Sequence, residues 1–394
     1  MATLLLFFIY IAFIGLGIPD SLLGTAWPAI YQDFQVPIAS LNILTLVLQG
    51  ATVIASLNSA RLIRTLGTNK TVVISTFATA IGLFGFSLAP NFLWLVFCSI
   101  PLGLGGGAID AALNNYVALH YQAIHMNFLH CFYGIGITMS PLLMSQILGG
   151  GQSWHQGYRL MFFVQLVIAF LMVFSQPLWG KVQAKWAQVQ EESQPKQISL
   201  FHLSKNPKVR LVWLVFISSC GLEFTSGIWG ASYFVQVREI PVAAAAGVLT
   251  FYYLGMTIGR FFSGVLSRFL TTWQIIFIGE GIIFGALLLL IFPLPQTFAA
   301  LPLFFIGLGN GPLFPNFTHL TPKTFGRNYS QAVIGSQMAA AYIGVMLIPP
   351  LFGWLADQWS LHLFPFFLLL LTILLTAASY LLKNEKNANK NSSD

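Results

Sequence analysis

The sequence predicts an all-α integral membrane protein of twelve transmembrane helices, arranged as two six-helix parallel repeats. Three observations predict it. Hydrophobic residues fill 56% of the 394 positions and charged residues only 7%, with a mean hydropathy of +0.77, whereas a soluble domain carries about 25% charged residues. The apolar residues fall into runs that each approach the roughly 20 residues a span requires. Motifs of the first half then return in the second about 203 residues later.

Taken in order, span one covers residues 4–31 and is interrupted by Gly15-Leu-Gly-Ile-Pro-Asp20. Pro19 removes a backbone donor beside an acid, a pattern expected where irregular backbone lines a cavity. Spans two and three cover 38–63 and 71–89, joined by the basic turn Arg61-Leu-Ile-Arg64-Thr-Leu-Gly67-Thr-Asn-Lys70. Span four, 92–119, holds Gly103-Leu-Gly-Gly-Gly-Ala-Ile-Asp-Ala-Ala-Leu-Asn-Asn115. At helical spacing Gly103, Gly107, Asp110 and Asn114 fall within a stripe of roughly 60°. The glycines admit a close neighbour. The acid on that stripe is costly in hydrocarbon and is expected to face a cavity or a partner.

Span five, 124–148, places Asn127, His130, Gly134, Thr138 and Pro141 on one face, and span six covers 158–179. The segment 181–208, with seven charged residues between Lys181 and Lys208, suits a cytoplasmic linker between two halves, 1–180 and 209–382. Spans seven to nine (209–237, 242–269, 273–292) carry Glu223, then Gly255, Gly259 and Arg260, then Glu280. Span ten, 298–320, holds Gly307-Leu-Gly-Asn-Gly-Pro-Leu-Phe-Pro-Asn316. Span eleven, 331–355, holds Gln337, Tyr342 and Pro349-Pro350, and span twelve covers 361–382 before a polar tail, 383–394.

Lysine and arginine set the orientation. With both termini cytoplasmic, 16 of the 18 basic residues lie at cytoplasmic ends, and only Arg159 and Arg238 lie outside. The net charge of +7 therefore belongs to membrane-flanking loops and does not point to nucleic acid. The first run starts at Thr3 without a basic n-region and reads as a span and not a signal peptide. Cys98, Cys131 and Cys220 lie in apolar runs without metal-ligand spacing, and no nucleophile–base pattern suggests an enzyme.

The repeat is visible in three places. Asp20-x3-Gly24-x2-Trp27 matches Glu223-x3-Gly227-x-Trp229, Gly103-Leu-Gly-Gly-Gly107 matches Gly307-Leu-Gly-Asn-Gly311, and Tyr133-x7-Pro141 matches Tyr342-x7-Pro350. Parallel six-helix repeats place a substrate site near the midplane between the halves and work by alternating access.

Over nearly its whole length the chain resembles the major facilitator superfamily. Within it the chain is similar to the fucose–galactose–glucose:proton symporter group and the sodium-dependent glucose transporters related to it. The motifs are Gly105-x4-Asp110-x3-Asn114, Gly221-Leu-Glu223-x3-Gly227, Gly259-Arg260, the 307–315 segment, Gly326-Arg327 and Leu355-Ala-Asp357. The resemblance implies that acids in spans one and four, here Asp20 and Asp110, handle the proton and contact the sugar. Asp110 stands where the fucose permease commonly has glutamate. The family's loop between spans two and three normally includes an aspartate. Here residues 59–67 keep the bases and glycine without the acid.

The expected protein is thus a secondary transporter, a proton-coupled symporter of a monosaccharide or similar small polar solute. Asp20 and Asp110 are the proton-coupling candidates. Asn114, Asn127, His130, Tyr133, Glu223, Trp229, Asn310, Gln337 and Tyr342 are the substrate-binding candidates, as amides, acids and aromatic faces suit hydroxyls and sugar C–H faces. Arg61, Arg64, Arg260 and Arg327 are expected at a cytoplasmic gate. His120, His125, His202 and His319 are read as solvated loop-end residues, and Glu280 as a support residue outside the cavity. No cofactor or metal is expected; the coupling ion is the proton, with sodium as the alternative. The expected setting is a bacterial inner (plasma) membrane, with lipid around a monomer. A proton-driven drug efflux antiporter and a non-transporting membrane sensor are the rival readings.

Overall fold

A computed structural model describes residues 2–121, 123–186, 200–292, 295 and 298–391, and these contain helices and turns without a strand. Part of the predicted linker, 187–199, and the last residues of the tail, 392–394, lie outside the described residues. The first half comprises α1 (Ala2–Asp33), α2 (Leu41–Leu66), α3 (Thr68–Ser87), α4 (Phe92–His120), α5 (Ala123–Gly149) and α6 (Trp154–Trp186). A short helix α7 (Leu200–Ser204) precedes α8 (Pro207–Gln236), α9 (Val242–Leu266) and α10 (Thr272–Ile291). The chain then continues through α11 (Ala300–Asn310), α12 (Leu313–Phe325), α13 (Arg327–Gln358) and α14 (Phe364–Asn391).

Eleven of these helices, among the described residues, are long and apolar enough to cross a membrane. The tenth span differs from the sequence expectation because it is two helices, α11 and α12, parted at Gly311-Pro312. Pro312 and Pro315 each remove a backbone donor, so the ladder loses two bonds within one turn. Span one differs in the other direction: α1 runs unbroken through both Pro19 and Pro28. A neighbour supports the backbone at the first of these, where the Ser140 hydroxyl of α5 donates to the Ile18 carbonyl at 2.9 Å. Helix ends are capped where sequence supplies the group. Asn91 accepts from the Trp94 amide at the start of α4, and Thr271 and Gln274 form a capping box at the start of α10.

The chain divides into two compact units. One holds α1 to α6 together with Glu239–Thr250 at the start of α9, and the other holds the remainder. The start of α9 is tied into the first unit by the Ser145 hydroxyl, which donates to the Ala243 carbonyl at 2.7 Å.

Within each unit the glycines set the helix pairing, and the pairs repeat. A Cβ at Gly103 would strike the Leu48 carbonyl and one at Gly107 the Thr52 carbonyl, locking α4 to α2. In the second unit Gly307 meets the Tyr252 carbonyl and Gly311 that of Met256, locking α11 and the break after it to α9. Gly105 packs on the Ser75 carbonyl of α3, and Gly309 on the Gly279 carbonyl of α10. Every member of these pairs is displaced by 204 residues from its counterpart. A third pairing joins α1 to α5 through Gly136 on the Ile14 carbonyl, and α8 to α13 through Gly344 on the Ile217 carbonyl. Each unit is thus a six-helix bundle built on the same glycine-mediated helix pairs.

The last pairing refines the repeat. Gly136 and Gly344 are 208 residues apart, which sets Ala341 opposite Tyr133 and moves Tyr342 one residue around its helix. Ile14 and Ile217 are 203 apart, which keeps Asp20 and Glu223 as counterparts.

Candidate functional site

In the first unit the polar candidates occupy two levels. Asp20, on α1, accepts a hydrogen bond from the Tyr133 hydroxyl of α5 at 2.8 Å. Gly17 makes this possible. A Cβ there would press on the Tyr133 carbonyl at 2.5 Å, so α5 lies close enough for the phenol to reach one turn along α1. Asp110, on α4, is held by its own helix: the Asn114 side-chain amide donates to the Asp110 carboxylate at 2.8 Å and to its backbone carbonyl at 3.0 Å.

The Leu16 side chain of α1 lies over Gly106 of α4, and the two helices run in opposite directions. Asp20 and Asp110 each lie four residues beyond that crossing, so they are separated by about 12 Å along the helix axes. His130 belongs to the Asp110 level, since its ring packs edge-on against Phe13 with centroids 6.0 Å apart. The first unit therefore has an Asp20–Tyr133 level and an Asp110–Asn114–His130 level, separated by the apolar Leu16–Gly106 contact.

A hydroxyl-to-carboxylate bond of this length is charge-assisted, so its removal has a measurable consequence. We expect Tyr133→Phe to destabilise the first unit by about 1.5–3 kcal/mol, as for loss of a hydrogen bond to a charged group. The ring remains in place, so the loss should come from the hydrogen bond and not from packing. Thermal unfolding of the purified variant checks this.

In the second unit Glu223 of α8 is the centre of a connected set. The Asn310 amide of α11 donates to one carboxylate oxygen at 3.2 Å, and Arg260 of α9 faces the other at 3.6 Å. The Ser219 hydroxyl donates to the Asn310 carbonyl oxygen at 3.2 Å, and the Tyr252 hydroxyl to the Glu223 backbone carbonyl at 3.2 Å. Arg260 lies six residues from the end of α9, yet its guanidinium turns toward Glu223 and not toward the helix end.

Other candidates are buried in helix packing. Trp229 is 0% exposed and its indole donates to the Pro349 carbonyl at 2.9 Å; Trp27, also 0% exposed, donates to the Ile38 carbonyl at 3.0 Å. Gln337 is 0% exposed and donates to the Thr321 hydroxyl at 2.6 Å, while Asn310 is 2% exposed. Tyr342 is half-buried on α13. Arg61 and Arg64 are exposed near the end of α2. The side chains of Asn127 and Arg327 lie outside the described residues.

Two histidines expected to be solvated are engaged in packing. His125 meets the Tyr10 hydroxyl at 3.0 Å, and His120 stacks on the Tyr116 ring with centroids 4.2 Å apart. His202 and His319 are exposed. Glu280 is 2% exposed and accepts from Ser379 of α14 at 2.6 Å, so it joins α10 to α14. No cluster of three metal-ligating side chains occurs among the described residues.

The fold has relatives. Residues 9–349 match the Major Facilitator Superfamily model. The chain belongs to the Major Facilitator Superfamily. It is a membrane transporter of that fold and not an enzyme. It is 24% identical over 407 aligned positions to Bypass of stop codon protein 6 of Saccharomyces cerevisiae, covering 93% of this chain and 80% of the yeast protein. Among solved structures it is similar to a mutant of the nucleoside transporter NupG, with a TM-score of 0.70 and 14% identity over 96% of this chain and 99% of that one. A bacterial homologue of the human lysosomal transporter Spinster aligns with a TM-score of 0.69 and 13% identity, over 98% and 97% of the two chains. These two likenesses concern the fold.

Proposed function

We propose that this transporter is a proton-coupled symporter of a neutral monosaccharide or closely similar polyhydroxylated solute, oriented with both termini in the cytoplasm. The observation that carries the coupling half of the reading is Asp110. Its carboxylate lies within a span and, among the described residues, is held by an amide and not by a cation. The charge of such a group is balanced by a mobile cation, and a proton is the smallest that a carboxyl can carry. Glu223 provides the contrast, since Arg260 already faces it.

The solute half of the reading rests on the kind of groups that share a level with the acids. The phenol and the amide side chain that bond the two carboxylates supply donors and acceptors for hydroxyls, and the His130 ring against Phe13 adds a further polar group beside an aromatic face. In this reading Asp20 and Tyr133 form the hydroxyl-binding level, and Asp110 with Asn114 the coupling level. The buried Trp229, Gln337 and Asn310 support the helices that carry the site and do not touch solute.

Reconstituted protein in liposomes tests this. With an inward proton gradient and no sodium, D-galactose, L-fucose or D-glucose should accumulate above the outside concentration, and collapse of the gradient should abolish accumulation. Accumulation that requires sodium at fixed pH would transfer the coupling to that ion, which the same carboxylate could bind. Failure of every hexose under both gradients would end the sugar reading.

A further inference from the structure

We propose that Arg260 is a solute-binding residue of the second unit, held in position by Glu223, and that the two side chains together take a pair of adjacent hydroxyls on a neutral polyol. The proposal rests on the polyol reading above and adds a residue and a subsite to it. The argument begins with an ordered chain of contacts. Ser219 donates to Asn310, Asn310 donates to Glu223, and Glu223 faces Arg260. The inner members are buried, Ser219 at 4% and Asn310 at 2% exposure, whereas the Arg260 and Glu223 side chains keep 17% and 15%. The set therefore runs from a buried, hydrogen-bonded base to an accessible charged tip.

That tip is within the spans. Glu223 is central in α8, thirteen residues from its last residue, and α9 carries Arg260 inside an apolar window. Charged groups at that depth face a water-filled path or a protein partner and not lipid; Glu223 and Arg260 partner each other, and we assign their remaining accessible edge to the solute path. Backbone packing fixes its place. Gly255 and Gly259 of α9 rest on the Phe304 and Leu308 carbonyls, and a Cβ at Gly311 would lie 3.2 Å from the Arg260 backbone nitrogen. Arg260 and Asn310 are thus brought together by contacts that leave no slack.

The guanidinium is underused. Arginine has five N–H donors in a planar fork, and the contact with Glu223 at 3.6 Å is its one polar contact among the described residues. In the same unit Arg238 makes three hydrogen bonds, to the Tyr233 hydroxyl and to the Leu290 and Phe292 carbonyls. Arg260 therefore presents donors beside a carboxylate acceptor, an array that matches two neighbouring hydroxyls, one receiving and one giving a hydrogen bond.

The array favours a neutral ligand over an acid. A ligand carboxylate on the unused donors would sit beside the Glu223 carboxylate, and two like charges in one partly buried site repel. A hydroxyl pair can bind without breaking the ion pair. The counterpart of Arg260 in the first unit is Ser56 and that of Asn310 is Gly106, so the repeat does not duplicate this subsite.

The test uses purified full-length protein in lipid nanodiscs, with thermal stabilisation as the binding readout. The ligands are D-galactose, D-glucose, their singly deoxygenated analogues and D-galacturonate. In the wild type, loss of one of two adjacent hydroxyls should weaken binding on the order of tenfold, as for a lost hydrogen bond to a charged group. In Arg260→Lys, which keeps the charge and loses the fork, the parent hexose should fall to the level of that analogue while the analogue itself is little changed. The double variant E223Q/R260Q removes both charged partners together, so if the single change does not fold it should bring the parent hexose and the two analogues lacking one of the paired hydroxyls to one common level, the parent falling furthest. A uniform loss across all ligands, no loss at all, or galacturonate binding that is tighter than galactose and depends on Arg260 would each overturn the proposal. Failure of every hexose to stabilise the wild type would overturn it together with the sugar reading. Hexose binding that ignores Arg260 would leave the sugar reading intact.

Discussion

Asp110→Asn should uncouple the transporter, leaving exchange of solute in place while abolishing accumulation. Asparagine has nearly the shape of aspartate, and Asn114 can still hydrogen-bond the new amide, so the local structure at α4 should persist. The packing of this helix does not depend on the carboxylate, because Gly103, Gly105 and Gly107 hold it against α2 and α3. The amide cannot bind a proton under physiological conditions. A gradient of one pH unit corresponds to about 1.4 kcal/mol and supports about tenfold accumulation when one proton moves with each solute. Proteoliposomes under that gradient should reach about tenfold with the wild type and unity with the variant. Counterflow, in which internal unlabelled sugar drives labelled sugar inward, should remain within a few-fold of the wild type. If Asp110→Asn still accumulates sugar tenfold, the proton is carried elsewhere, and Asp20 at the other level becomes the group to test.

The sequence made the architecture plain because it rests on features a sequence displays directly. Apolar runs mark spans, lysine and arginine mark loops, and glycines at a fixed displacement mark a repeated backbone contact. The pairs Gly103–Leu48 and Gly307–Tyr252 are that displacement expressed as geometry. Partners were harder to read. A helical stripe places Asp110 and Asn114 together because both are on one helix, one turn apart. It cannot say that Asp20 would find Tyr133 on α5, or that Arg260, close to a helix end, would extend back to Glu223 on another helix. Long side chains decouple the position of the charge from that of the backbone. Burial was equally hidden for Gln337 and Trp229, since a polar or aromatic residue on a packed face has the same spacing as one facing water. The break at Gly311-Pro312 was legible as residues, but its consequence was not: it sits immediately after Asn310, the residue that hands Ser219's hydrogen bond on to Glu223.

Adding a single methyl group at Gly103, Gly107, Gly307 or Gly311 should destabilise the fold, with equal effects at counterpart positions. Each Cβ would point at a backbone carbonyl of the facing helix, and a carbonyl in a helix cannot swing aside as a side-chain tip can. Relief requires the two helices to separate, which loosens the contacts along their whole shared length. Overpacking of this kind costs about 1–3 kcal/mol, sometimes more. Gly→Ala at these sites should therefore lower the unfolding temperature by several degrees. Gly50→Ala, Gly264→Ala and Gly285→Ala have no atom within 4 Å of the new methyl and should match the wild type. The symmetry of the contacts gives the sharper form of the prediction. Gly103→Ala and Gly307→Ala should lose stability alike, because the Leu48 and Tyr252 carbonyls stand in the same relation to them. Function should then separate the pair. Widening α4 from α2 moves the helix that carries Asp110, whereas widening α11 from α9 moves Asn310 and Arg260 apart and frees Glu223. Residual transport by Gly103→Ala should show weakened coupling, and that by Gly307→Ala weakened solute affinity. Thermal unfolding of the detergent-solubilised variants beside their uptake kinetics measures both. A variant set that behaves like Gly50→Ala throughout would mean that these helices are not in close backbone contact.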